Sequence, residues 1–193
     1  MKRNKARDIL KQLYYKVDKE VDTMPKVCTK GCYFCCFQPI EIFRIDKVIL
    51  GEFIKNGLSN EAKQSIKEKT IKWLDFFDSN TSNEEPLSSN EAYSNFRYKT
   101  ENIPFPCPLL FNNECSVYKV RPLACRAHFV NDSKELCEKD KLRNGEPKSI
   151  EYRTRIIVEL KTVMDVEIIP LTYALVEILD IDRKTKEIEK TFI

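Results

Sequence analysis

The sequence predicts a mainly α-helical chain, with helices around an irregular cysteine-rich centre and a few short strands. Three observations carry that expectation. Apolar residues recur at helical spacing in several segments. Strand and helix do not alternate at the scale of a parallel sheet. Seven of the eight cysteines fall in two motifs, Cys28-x3-Cys32-x2-Cys35-Cys36 and Cys107-x7-Cys115-x9-Cys125, and Cys137 follows. At 193 residues the chain suits one domain, 1–193, with the motifs spanning 28–137 and helices flanking them at 1–24 and 149–193.

The elements follow in order. Residues 5–21 put Ile9, Leu10, Leu13, Tyr14, Val17 and Val21 on one face, a helix packed on the core. The first cysteine cluster is a loop in which Gly31 permits a tight turn. Pro39 to Ile45 nearly alternates and reads as a short strand. Asp46 caps a helix to about Asn56, which Gly57 stops. Ser59 or Asn60 opens a long helix to about Asp78 that buries Ile66, Ile71, Trp73, Leu74 and Phe77. Residues 81–90, TSNEEPLSSN, are a surface loop. Residues 103–126 are short and proline-punctuated, with Asn112-Asn113 as a turn between Phe111 and Cys115. Asp132 and Glu135 form a capping box on a short helix that carries Cys137. Residues 149–164 present Ile150, Ile156, Ile157, Leu160, Val163 and Met164 on a helical face. Pro170 fits the first turn of a last helix to about Leu179.

Composition narrows the function classes. The chain is 42% hydrophobic and 33% charged, which suits a globular protein. Lys and Arg number 33 against 30 Asp and Glu, so the net charge of +3 supplies no basic footprint for nucleic acid. Basic residues of 1–11 read as the polar face of the first helix. No apolar run approaches the ~18 residues of a membrane span, and the start lacks the pattern of a secretory signal. A cytoplasmic location is the expectation.

In a reducing cytoplasm, eight cysteines are better explained by metal ligation or redox chemistry than by disulfides. Thiolates suit zinc, iron–sulfur clusters and copper(I). Four of them satisfy one tetrahedral zinc or one 4Fe-4S cluster, so eight can fill two sites. The centre is therefore expected to be metal-stapled through Cys28, Cys32, Cys35, Cys36, Cys107, Cys115, Cys125 and Cys137. Neighbouring side chains diverge in extended chain, which separates Cys35 from Cys36. Cys28, Cys32 and Cys35 are expected around one centre. Cys36 would turn toward Cys107, Cys115, Cys125 or Cys137 in a second.

These blocks resemble a known family. Cys28-x3-Cys32-x2-Cys35-Cys36, Cys107-Pro108-x-Leu110, Cys115-x-Val117-Tyr118, Arg121-Pro122-x2-Cys125-Arg126 and Cys137 are similar to the YkgJ-type cysteine-cluster proteins. That family is described as a zinc- or iron-chelating domain, and the resemblance covers about 28–137. It implies metal binding. A similar cysteine domain occurs in flagellin lysine-N-methylases, so the resemblance also raises transfer of a methyl group from S-adenosylmethionine to a protein lysine or small molecule. Cys28-x3-Cys32-x-Phe34-Cys35 further matches the radical-SAM signature, in which three thiolates hold a 4Fe-4S cluster with one open iron. The strand–helix repeats and glycine-rich segment of that superfamily are missing from this chain.

Arg121 and Arg126 flank Cys125. Guanidinium groups there can offset the negative charge of a metal–thiolate centre, or make ordinary ion pairs. In a methylase they would instead hold the carboxylate of S-adenosylmethionine. His128, the only histidine, stands three residues after Cys125 and is read as structural more readily than as a ligand. Phe34 and Tyr118 are expected to pack and exclude water. No phosphate-binding glycine loop or Ser-His-Asp order is present.

Overall fold

A computed structural model describes residues 3–80, 103, 105–141, 143–162 and 166–183, with the side chains of 3–6 excepted. The loop expected at 81–90, and Val163 and Met164, lie outside the described residues. Seven helices are labelled here: α1 (Arg3–Asp22), α2 (Lys47–Gly57), α3 (Asn60–Asn80), α4 (Leu123–Ala127), α5 (Lys134–Lys139), α6 (Pro147–Lys161) and α7 (Leu171–Ile178). Four short strands accompany them: β1 (Glu41–Phe43), β2 (Leu110–Phe111), β3 (Glu114–Cys115) and β4 (Ile168–Pro170). The fold is mainly helical, as expected. Among the described residues no helix is long and apolar enough to cross a membrane.

The longest apolar stripe in the sequence sets the first core. Leu10, Leu13, Tyr14, Val17 and Val21 of α1 are all buried, against Leu123 and Ala127 of α4 and Ile156 and Leu160 of α6. Each such aliphatic side chain stabilises the fold by roughly 1.5–3 kcal/mol relative to exposure. A second core joins Leu50 and Ile54 of α2, Ile66 of α3 and Ala174, Leu175 and Ile178 of α7. Gly51 permits this packing: a Cβ there would stand 3.3 Å from Ile178 Cγ1. Trp73 and Phe77 stack at 5.2 Å between centroids in a third cluster with Tyr173 and Val176.

β1 and β4 form an antiparallel pair in which Ile42 faces Ile169. The pair joins chain segments far apart in sequence and carries the cysteine loop on one side. β2 and β3 form a two-residue hairpin, with Leu110 opposite Cys115. Asn112 (φ 46°) and Asn113 (φ 62°) both adopt left-handed backbone, which the right-handed twist of such a hairpin favours.

Three local expectations are corrected. Asp46 stands where a cap would, but its side chain makes no cap hydrogen bond. It is fully buried, and Oδ1 accepts from Tyr14 Oη at 2.9 Å and the Leu123 amide at 3.2 Å. A carboxylate able to cap locally is thus used to tie α1, α2 and α4 together. The cap of α5 is Ser133, whose Oγ accepts from the Glu135 and Leu136 amides. Asp132 is drawn away by an ion pair with Arg143. Ile150 is 53% exposed, because α6 begins at Pro147 and turns Ser149 and Tyr152 inward instead.

Candidate metal centre

The cysteine loop is held at both ends by backbone. The Val27 amide donates to the Val130 carbonyl at 3.0 Å, and the Cys107 amide donates to the Cys36 carbonyl at 2.7 Å. Gly31 turns with φ 91°, and the Cys32 amide closes the turn on the Thr29 carbonyl at 3.0 Å. Phe34–Phe37 then winds as one 3-10 turn. That turn, rather than extended chain, presents Cys35 and Cys36. Gln38 reaches Arg143 O at 2.9 Å, and the Lys134 ammonium reaches Thr29 Oγ1 at 3.2 Å, so the segment after α4 is drawn over the first motif.

All eight thiols are free of disulfides. Cys107 is buried, Cys35 is exposed, and the other six are partly buried. Among the described residues no group of three or more Cys, His, Asp or Glu side chains is arranged to hold a metal ion. The thiols are nonetheless electrostatic neighbours in two sets. Cys28 feels Cys32, Cys35 and Cys137, and Cys137 feels Cys32. Cys36 feels Cys107 and Cys125, and Cys125 feels Cys107 and Cys115. Cys35 belongs to the edge of both, since Cys107, Cys115 and Cys125 feel it too.

Burial pushes most of these thiols up, Cys107 to about 12 and Cys125 well above its ordinary range. Backbone amides act in the other direction. Val130 N–H points at Cys28 Sγ from 3.4 Å, and the Leu109 and Val117 amides donate to Cys107 and Cys115. Cys35 and Cys36 share a hydrogen bond that lowers the first thiol and raises the second.

Cations stand near both sets, the Lys69 ammonium beside Cys107 among them. Arg121 lowers Cys35, and it works against the burial that raises Cys115 and Cys125. Its guanidinium stacks on Tyr118 at 4.3 Å and stands 3.9 Å from Asp18, while its Nε is buried without a hydrogen-bond acceptor among the described residues. Arg143, which no sequence pattern singled out, approaches Cys137 Sγ at 3.8 Å while pairing with Asp132. Arg126 does not serve the thiols. It is 5% exposed, stacks on Tyr14 at 4.1 Å, pairs with Asp18, and donates to the carbonyls of Arg121 at 2.8 Å and Lys119. Asp18 and Tyr14 of α1, together with the nearby carbonyls, decide that role. His128 is partly buried, and a Cβ on Gly145 would stand 3.1 Å from its Nδ1.

The donor chemistry fits a thiophilic metal. Eight uncrosslinked sulfurs, an orphaned Nε–H and amides aimed at three sulfurs are partners that thiolates would satisfy. Comparison with protein-family models, with curated proteins and with solved structures gives no significant match.

Proposed function

We propose that this chain is a metal-binding cysteine-cluster protein that holds zinc or an iron–sulfur cluster through thiolates. The observation that carries the reading is eight free thiols, from a span of 110 residues between Cys28 and Cys137, that interact through space in sets meeting at Cys35. Unmetallated, the buried thiols keep their protons, and the buried Arg121 Nε–H has no acceptor among the described residues. Metal binding would replace thiol protons and supply the missing negative charge. The resemblance to zinc- or iron-chelating cysteine proteins agrees with this chemistry.

The bound metal would hold sulfurs in a fixed arrangement and draw the hairpin, the first motif and α5 together. Arg121 and Arg143 would offset its negative charge, and the Val130, Leu109 and Val117 amides would orient the sulfurs.

The test is metal and acid-labile sulfide content, with a visible spectrum, on protein purified without oxygen. Bound zinc without colour, or iron with sulfide and a visible charge-transfer band, is expected. Iron with sulfide would direct the next measurement to binding of S-adenosylmethionine. Protein free of zinc, iron and sulfide that still melts cooperatively with eight titratable thiols would overturn the reading.

A further inference from the structure

The eight thiols are unequal in their surroundings, and the inequality has a pattern. Cys36, Cys107 and Cys115 lie where the hairpin meets the core, and Cys125 of α4 is an electrostatic neighbour of Cys107 and Cys115. Cys107 is 7% exposed and packs with Ile42, Leu109 and Val117, and Cys36 and Cys115 pack against the same cluster. Cys36 is tied to Cys107 through backbone, and Leu110 to Cys115 through the hairpin. Arg121 is the guanidinium on this side.

The other four sit at the rim. Cys28 and Cys32 border the exposed turn 29–31, with Cys28 also touching the first core; Cys35 is exposed as a residue while its thiol turns in to Cys36; and Cys137 rides on α5, a helix of six residues with no buried member. Arg143 is the guanidinium on this side. Cys137 is brought here by Val27–Val130, Lys134–Thr29 and Gln38–Arg143 contacts, none of which involves the hairpin.

Building on the metal-binding reading, we infer that the thiols form two sites of different character. Cys36, Cys107, Cys115 and Cys125 make a closed site that staples the hairpin to the core. Cys28, Cys32, Cys35 and Cys137 make a solvent-facing site from which metal exchanges. The vicinal pair Cys35–Cys36 stands where the two sets meet, its thiols sharing a hydrogen bond that loading would exchange for one metal on each side. The division moves Cys137 into the set of Cys28 and Cys32. Loading would close the four sulfurs of each set onto their metal. α5 can move to do so at little cost, since it buries no side chain.

The experiment uses zinc as the probe. Full-length protein, reduced and demetallated, is reloaded with zinc and challenged with a chromogenic chelator under anaerobic conditions. Two equivalents are expected, one released quickly and one slowly. Cys137→Ser should lose the fast equivalent and keep the slow one with an unchanged melting temperature. Cys115→Ser should lose the slow one and melt earlier; if it does not fold, Cys137→Ser alone still decides. A single equivalent, a single release phase, or loss of the slow equivalent in Cys137→Ser would overturn the two-site division while leaving metal binding intact. Failure to bind zinc or to reassemble an iron–sulfur cluster would instead remove the reading on which it rests.

Discussion

Replacing Asp46 by Asn should raise stability near neutral pH, and the gain should vanish in acid. The carboxyl is fully buried and its Oδ1 holds the Tyr14 hydroxyl and the Leu123 amide. Burial pushes it from an ordinary 3.8 up to about 7, against the opposing pull of the Tyr14 and Leu123 hydrogen bonds and of the Arg126 guanidinium. A carboxyl raised in the folded state binds its proton more tightly there than in the unfolded chain. Its contribution is therefore fully present below 3.8 and is lost as pH rises through about 7. At about 1.4 kcal/mol per pKa unit, the loss between pH ~4 and ~7 comes to about 3 kcal/mol. Asn resembles the protonated carboxyl and keeps an acceptor for Tyr14 and Leu123, but has no proton to lose.

The assay is urea denaturation of both proteins in steps from acid to neutral pH. Other titrating groups are common to the two chains, thiol deprotonation on metal binding included, so the difference between them isolates Asp46. A difference independent of pH would refute the reasoning. A D46N protein progressively less stable than its parent as pH rises would show that the ionised carboxylate is stabilised inside the fold.

Two further outcomes follow from named contacts. Arg126→Lys should cost about 2 kcal/mol, because one ammonium cannot serve Asp18, two backbone carbonyls and the Tyr14 ring together; urea denaturation at constant m reads the loss, and a change below about 0.5 kcal/mol would show the network to be dispensable. Asn113→Gly should leave the melting temperature nearly unchanged, whereas Asn113→Val should cost roughly 1–2 kcal/mol at φ 62°. Equal melting of the two variants would show that the turn has relaxed to other backbone angles.

Local pattern was enough for the long helices and the hairpin, but not for α4, Leu123–Ala127, which lies in the stretch read as irregular. The stripe from Leu10 to Val21 is a property of residues within about three turns of one another, and it alone marks which face of α1 is buried. Asn112-Asn113 likewise carries its turn in its own backbone preference. The candidate ligands were legible because cysteines at close spacing stand out in any context, but their grouping was not. Cys137 could have joined either set on spacing, and contacts across 102 to 105 residues, Val130 on Cys28, Lys134 on Thr29 and Gln38 on Arg143, bring it to the first motif.

Polar residues with two possible partners mark the boundary between the two kinds of information. Asp46, Asp132 and Arg126 each had a plausible neighbour in sequence. Asp46 went to Tyr14 across 32 residues, Asp132 to Arg143 across 11, and Arg126 to Asp18 across 108. The sequence by itself determined the helical character, the apolar faces and the inventory of thiols, because those depend on residues a few positions apart. The tertiary structure decided which charges pair, which thiols meet and which stay at the surface. A side chain's charge or sulfur acts through space over several ångströms, and only folding brings its distant partners within that reach.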